Sequence, residues 1–333
     1  MLDQKPIVCI VGPTASGKTA LAQRLALELD GEVVSADSMQ IYRGMDIGTG
    51  KIPPEERLVA HHCLDIADPG EPFSAALYQK LSRSCFADIE SRGKRAILCG
   101  GTGFYVRAAI DDYNFPEGEQ VGNATRDRYN EYARNRGPDA LWTLLEQEDP
   151  ESAQIIPAHD TKRVVRAFEL LETGTSYARQ KEKLASIPQL YPAVFIGLAV
   201  DPAVLAERIN ARVDQMVSVG LVEEVRDLLE GGFREGITSP QAIGYKEFVA
   251  YIEGTCSLDE AMESVKLSTR RYAKRQRTWF RKDKRIRWID ADALNLDDMT
   301  AAALDILATI AEYDGQGGSG DSGPVFQTPR CGQ

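Results

Sequence analysis

Five apolar residues, Ile7-Val8-Cys9-Ile10-Val11, pass directly into Gly12-Pro13-Thr14-Ala15-Ser16-Gly17-Lys18-Thr19 and then into the helix-forming Ala20-Leu21-Ala22-Gln23-Arg24-Leu25-Ala26. Strand, glycine-bounded loop and helix in that order make a phosphate-binding loop, a motif that belongs to α/β sheets. Gly12 and Gly17 let the backbone turn tightly, so that successive N–H groups and the helix N-terminus converge on one anion. Lys18 adds a full positive charge, and the Thr19 hydroxyl is placed to ligate a magnesium ion that bridges phosphates. The loop specifies a polyphosphate and leaves open whether that is ATP.

The segments that follow alternate between strand-like and helical patterns. Glu32-Val33-Val34-Ser35-Ala36 runs up to Asp37, an amphipathic stretch covers 74–91, and Ala96-Ile97-Leu98-Cys99 runs into Gly100-Gly101-Thr102-Gly103. Such alternation predicts a parallel sheet wound with helices, whose ligand lies beyond the carboxyl ends of the strands, where Thr14, Asp37 and Thr102 converge. From about 114 the strand signals vanish, and helices are expected over 125–136, 139–146 and 161–172. Strand character returns at 193–200, helices at 202–217, 221–229 and 257–280, and a short edge strand at 286–290. The expected organisation is a P-loop NTPase-like α/β core (1–113 and 190–313) with C-terminal basic helices. A helical insertion (114–189) interrupts it, and a Gly- and Ser-rich stretch (314–333) holds too little apolar content to fold.

Composition narrows the function classes. The 333 residues carry a formal net charge of −11, which opposes nonspecific coating of nucleic acid, because the chain as a whole repels a phosphate backbone. Positive charge is nevertheless concentrated between Arg270 and Arg285, a stretch with one acid among many bases. No apolar run approaches the roughly 20 residues of a membrane span, and the N-terminus lacks a signal-peptide layout, so a cytosolic protein is expected. Six cysteines, at 9, 63, 85, 99, 256 and 331, contain no CxxC pair and suggest neither a zinc knuckle nor a disulfide framework.

Asp37 opens a second constellation, Asp37-Ser38-Met39-Gln40-Ile41-Tyr42-Arg43-Gly44-Met45-Asp46-Ile47-Gly48-Thr49-Gly50-Lys51. At the sheet's ligand edge its carboxylate can accept a proton from a nucleophile; capping a turn through Ser38 is the alternative. The strand that ends at Cys99 carries no acidic residue after it, so the magnesium-binding acid usual in P-loop ATPases is missing. His61-His62-Cys63 has no third ligand at metal spacing and reads as loop packing.

Seven segments now stand in order: GPTASGKT, ADSMQIYRGMDIGTGK, HHCLDI, GGTGFY, RAFELLETG, IGYKE and TRRYAKRQRTWFR. Together they resemble the tRNA dimethylallyltransferases across roughly residues 5 to 290. The resemblance implies transfer of a dimethylallyl group from dimethylallyl diphosphate to N6 of the adenosine just 3′ of the tRNA anticodon, with diphosphate leaving and Mg2+ as cofactor. It implies that Gly12, Pro13, Thr14, Ala15, Ser16, Gly17, Lys18 and Thr19 hold the diphosphate, with Thr19 at the metal. Either Arg208 or Arg212 should reach the diphosphate, and Arg212 is favoured.

Asp37, Thr102 and Lys18 are the implied catalytic residues, and Ser38, Met39 and Gln40 line the adenine pocket. Further tRNA contacts are implied at Arg126, Lys162, Arg163, Val164, Val165 and Arg166, at Gln241, Ala242, Ile243, Gly244, Tyr245 and Lys246, and at Arg270, Lys274, Arg275, Gln276 and Arg277. Two departures stand out: family members often carry glutamine where Lys162 stands, and residues 114–125 match only loosely. Phe104, Tyr105 and Met39 are candidates for shielding an allylic cation from water. A monomer is expected. The rival readings are an adenylate isopentenyltransferase, a small-molecule kinase, and a non-catalytic RNA-binding module.

Overall fold

The computed structural model describes residues 5–115, 123–236 and 238–315. In chain order the elements are β1 (Ile7–Val11), α1 (Lys18–Glu28), β2 (Gly31–Ser35), β3 (His61–His62), α2 (Ala75–Ser91), β4 (Arg95–Gly100), α3 (Gly103–Ile110), α4 (Ala124–Arg136), α5 (Pro138–Glu148), α6 (Pro150–Ile155), α7 (Thr161–Glu172), α8 (Tyr177–Ala185), β5 (Ala193–Ala199), α9 (Pro202–Ser218), α10 (Leu221–Glu230), α11 (Tyr245–Ile252), α12 (Leu258–Phe280), β6 (Ile286–Asp290) and α13 (Leu296–Gly315). The chain divides into two compact units, Met1–Ile110 with Tyr191–Gln333, and Asp111–Leu190. The tail expected from residue 314 lies, past residue 315, outside the described residues. No described helix is long and apolar enough to cross a membrane.

In the larger unit the described strands form one sheet in the order β3-β2-β4-β1-β5-β6, and every pairing is parallel. β1 sits centrally because all five of its residues are buried, as a strand covered on both faces requires. Alternation divides those side chains between two cores. Val8 and Ile10 pack with Leu21 and Leu25 of α1 and Ile196 and Leu198 of β5, and Cys9 and Val11 with Tyr78, Phe86 and Ile89 of α2 and Val106 of α3. The register of β1 on β4 brings Val11 level with Gly100, so both strands end at the same edge, just before Gly12 and Gly101. A third core joins the segment after Asp37 to the later helices, through Ile41, Tyr42 and Met45 with Val213, Val225 and Phe248.

Helix boundaries follow local chemistry. Ser257 caps α12 in a box with Glu260, Ser74 accepts from Leu77 N at the start of α2, and Pro202 stands in the first turn of α9. α13 was not anticipated; its Met299 and Ala303 complete the core over α1.

The smaller unit is helical among its described residues, α4 to α8. Its core is Leu141, Leu145, Val164, Val165 and Phe168, with Tyr129 stacked on Phe168 at 4.0 Å between ring centroids. Its ends are joined by an antiparallel bridge between Asp111 and Gln189.

Candidate active site

The phosphate-binding loop departs from what its glycines alone imply. Gly12 and Gly17 have positive φ (149° and 90°), and so does Ala15, at 61°. An L-residue held left-handed costs about 1 kcal/mol or more, and successive left-handed turns are the backbone pattern from which anion nests are built. A Cβ at Gly12 would also crowd the carbonyl oxygen of Leu198, at 3.1 Å.

Inside the loop, Ser16 Oγ and Lys18 Nζ both donate to the carbonyl oxygen of Pro13, at 2.9 and 2.5 Å. Burial pulls the Lys18 ammonium down to about 8, against the opposing pull of the Asp37 carboxylate. Arg212 of α9 is lowered by burial and supported by Asp37 in the same way, and its Nη2 lies 3.5 Å from the carbonyl of Gly50. Gly50, at φ 61°, leaves room for that guanidinium: a Cβ would fall 1.5 Å from Nη2 and displace it. Arg208, four residues earlier, turns to Asp292 (3.4 Å) and the carbonyl of Ala291. Arg212 is therefore the α9 arginine that meets the loop.

Two cavities meet at this edge of the sheet. The larger, about 730 Å³, is lined by the phosphate-binding loop from Thr14 to Thr19 together with Lys51, Arg57 and Gly101. The second, about 470 Å³, is lined by Ser38, Met39, Gln241, Ala242, Ile243, Gly244, Lys246, Arg271, Tyr272 and Arg275. Thr14, Ala15, Asp37, Thr49 and Arg212 line both. Asp37 thus stands at the junction of a chamber walled by the phosphate-binding loop, which Asp46, Glu55, Glu56 and Asp65 also line, and one lined by Arg271, Tyr272 and Arg275. Its Oδ1 accepts from Met39 N at 2.9 Å, so the turn-capping role and a site position coexist. Thr102 stands just behind: its Oγ1 accepts from Ser38 N at 3.1 Å and donates to Ser38 Oγ at 3.3 Å. Gln40 donates to the carbonyls of Thr49 and Gly50.

Gln276 departs from the RNA contact its neighbours on α12 suggested. It is 5% exposed, its Oε1 accepts from Thr14 N at 2.8 Å and its Nε2 donates to Gly101 O at 3.0 Å. It fastens the phosphate-binding loop to the end of β4. Tyr272, one turn away, hydrogen-bonds to Thr102 and Gln276, and burial raises its phenol to about 12, so it stays neutral.

The basic helix is two-sided. Arg271, Tyr272 and Arg275 face the second cavity, while Arg270, Lys274, Arg277 and Arg281 line a separate groove of about 430 Å³ against Leu205 and Ile209. Arg270 also donates to Asn210 Oδ1 at 2.6 Å. Among the other residues expected to meet RNA, Ala242 and Tyr245 are buried, and the Tyr245 hydroxyl donates to Glu224 Oε1 at 2.6 Å.

In the smaller unit Val164 and Val165 are core residues, whereas Lys162 and Arg163 are exposed. Arg126 and Arg166 both pair with Glu169, at 2.6 and 2.9 Å, and those pairs hold its carboxyl below the usual range. Tyr105 does not shield the site; it stacks on Tyr78 at 4.0 Å in the core. Met39 does line the second cavity.

Glu224 of α10 was not anticipated. Its carboxylate accepts from the backbone N–H groups of Asp46, Ile47 and Gly48, at 3.1, 2.7 and 3.2 Å, besides the Tyr245 hydroxyl. Lys51 is similarly structural, buried between Asp46 (2.5 Å), Asp65 (2.6 Å) and the Tyr42 carbonyl (2.8 Å).

No cluster of three or more His, Cys, Asp or Glu suited to a metal exists among the described residues. The Thr19 hydroxyl on the wall of the larger cavity fits a magnesium ion that arrives with phosphate oxygens and water, the usual ligation of Mg2+ at phosphate sites.

Comparisons with known proteins agree with this arrangement. A family model described as IPP transferase matches residues 40–283, and one described as isopentenyl transferase matches residues 5–62. The tRNA dimethylallyltransferase of Carboxydothermus hydrogenoformans is 45% identical over 296 residues, covering 88% of this chain and 94% of that protein. The Bacillus subtilis tRNA dimethylallyltransferase is 46% identical over 288 residues, covering 86% and 91%. Among solved structures, the tRNA isopentenylpyrophosphate transferase of Bacillus halodurans aligns with TM-score 0.68 at 39% identity, covering 94% of this chain and all of that one. A eukaryotic dimethylallyltransferase acting on tRNA aligns with TM-score 0.76 at 27% identity, covering 94% and 80%. A phosphate-binding loop facing Asp37 and a basic helix, on a chain matched over most of its length, marks a member of the IPP transferase family.

Proposed function

We propose that this enzyme transfers the dimethylallyl group of dimethylallyl diphosphate to N6 of the adenosine 3′-adjacent to the anticodon in tRNA, releasing diphosphate. The observation that carries the reading is the position of Asp37, on the shared wall of a phosphate-binding chamber and a basic, aromatic one. Neither the alcohol acceptor of a small-molecule kinase nor a free nucleotide acceptor needs an arginine-bearing helix along the second chamber.

The chemistry follows from the two sides. The C1–O bond to diphosphate breaks as the C1–N6 bond forms; the bonding pair leaves with diphosphate and the N6 proton passes to Asp37. An exocyclic amine is a weak nucleophile, so most of the acceleration must come from alignment and from stabilising charge on the leaving group. The loop amides, Lys18 and Arg212 supply fixed positive charge there. Thr19 would hold Mg2+ together with diphosphate oxygens, and the ion when bound adds positive charge to the leaving group. Met39 N–H orients the Asp37 carboxylate, and Thr102 fixes Ser38 beside it.

On the acceptor side the target base must leave its stack, at a cost of a few kcal/mol. Stacking on aromatic or guanidinium planes returns about 1–3 kcal/mol per base, and Tyr272, Arg271 and Arg275 offer such planes. Lys162 and Arg163 add exposed charge suited to RNA phosphates. With tRNA as substrate the enzyme works in the cytosol.

The test incubates the purified protein and magnesium with labelled dimethylallyl diphosphate and either unmodified tRNA or AMP, with ATP and candidate alcohols in parallel. Label should enter tRNA at that adenosine. Label entering only AMP, or phosphate transfer without prenyl transfer, would refute the reading.

A further inference from the structure

Away from the site, Cys63 immediately follows β3 and Cys85 lies on α2, with their sulfurs 4.0 Å apart. His62 connects this pair to a charged group: its Nε2 lies 2.8 Å from Glu32 Oε2, and its imidazole also hydrogen-bonds to Cys85. Glu32 is in turn held by Arg92 (2.7 Å) and Lys94 (3.1 Å), with Asp88 beside Arg92. Cys63 is 5% exposed and Cys85 is half-buried, so Cys85 is the more accessible residue of the pair. Cys63 has φ 60°, a left-handed conformation in a residue that is not glycine.

The hydrogen bonds separate the roles of the two thiols. The contact with Cys63 and the His62 ring both favour the anion on Cys85, which is lowered despite partial burial. Cys63, in contact with Cys85 and enclosed by protein, is raised. His62 is raised by Cys85 first and Glu32 second, which favours an imidazolium beside the thiolate. A half-buried thiolate beside a cation and in contact with a second thiol is the environment of oxidisable cysteines.

We propose that Cys85 and Cys63 form a hydroperoxide-reactive dithiol, with Cys85 the attacking thiolate and Cys63 the resolving thiol. The Cys85 thiolate attacks the distal oxygen of a hydroperoxide and the O–O bond breaks. Cys85 becomes a sulfenic acid, and the departing alkoxide or hydroxide takes a proton from the His62 imidazolium. The Cys63 sulfur then attacks the Cys85 sulfur, and its proton and the hydroxyl lost from Cys85 leave as water. Two thiols are oxidised to one disulfide, and the hydroperoxide is reduced to an alcohol, or to water if it is hydrogen peroxide. The sulfurs must close from 4.0 Å to about 2.05 Å. This chemistry is independent of prenyl transfer and uses none of its residues.

The test exposes the reduced full-length protein to stoichiometric hydrogen peroxide, blocks remaining thiols at acidic pH, and maps peptides without reduction. The expected product is a Cys63–Cys85 linked peptide that dithiothreitol reverses, while Cys256, also half-buried, remains alkylatable. Cys63→Ser should leave a Cys85 sulfenic acid that dimedone traps, and Cys85→Ser should slow peroxide consumption about tenfold or more. Oxidation of Cys256 or Cys99 ahead of Cys85, or a Cys85 sulfenic acid that persists while Cys63 is still a thiol, would overturn the proposal. The wild-type peptide map decides even if a variant fails to fold.

Discussion

Replacing Gln276 by leucine separates two roles that one residue on a basic helix can have. The side chain is buried, with one amide atom bonded to Thr14 N and the other to Gly101 O. Leucine keeps most of the volume and removes both bonds. Thr14 and Gly101 line the larger cavity, so water can partly replace the lost partner at each. The cost per group then falls near the low end of the usual 1–3 kcal/mol, about 2 kcal/mol in all. A melting temperature lower by on the order of 5 °C is expected.

The larger effect is on turnover. With the phosphate-binding loop released from the end of β4, the diphosphate and Asp37 lose their common frame, and a displacement approaching 1 Å lowers kcat by about 100-fold. The tRNA Kd should stay within about twofold, because the amide has no free edge to offer RNA, whereas a polar contact to RNA lost outright would cost more. Thermal melts, steady-state kcat and KM for dimethylallyl diphosphate, and filter binding of tRNA measure the three quantities. A tenfold weaker tRNA Kd with unchanged kcat at saturating tRNA would show that Gln276 is an RNA contact and that the fastening role is wrong.

Other perturbations probe each side of the site. Asp37→Ala should lower kcat by about 10²–10⁴ and leave the tRNA Kd nearly unchanged, as loss of a general base does; equal losses in both would reassign it to binding. Gly50→Ala, whose Cβ meets Arg212 Nη2, should weaken binding of a non-hydrolysable prenyl diphosphate analogue without altering tRNA affinity, as isothermal titration would show. Arg275→Glu should weaken tRNA binding and flatten its dependence on salt, read as the slope of log Kd against log salt.

Lys18 carries a pH prediction. Its folded pKa, about 8, lies below the ordinary 10.5, so both states are charged below pH 8 and the burial penalty is present in full. Between about 8 and 10.5 only the folded state releases its proton, so the stability contributed by this residue rises with pH across that window. Lys18→Met should abolish that rise in urea titrations. Affinity for the prenyl diphosphate should move the opposite way, weakening above pH 8 as the charge that meets the anion is lost.

What could be read from the sequence was whatever depends on neighbours along the chain. β1, its loop and α1 are specified within about twenty residues, and α7 and β6 fall at their expected bounds because apolar spacing and capping residues mark them. What could not be read depends on partners far away in sequence. Glu224 serves backbone amides 176 to 178 positions earlier, and a backbone partner leaves no side-chain pattern to detect. Gln276 sits in a run of arginines and was read with them, yet the helical turn sends it inward while Arg275 faces outward. The left-handed Ala15 was hidden for a different reason: alanine usually signals helix, and here the loop's closure overrides it.

The Glu224 arrangement bears on how the protein sorts anions. Consecutive N–H groups at Asp46, Ile47 and Gly48 make a second concave patch of positive backbone potential, a short distance along the chain from the phosphate-binding loop. By itself such a patch would attract phosphate as the first one does. Glu224 occupies it from within and neutralises it, so that a diphosphate entering the site meets one attractive cradle instead of two.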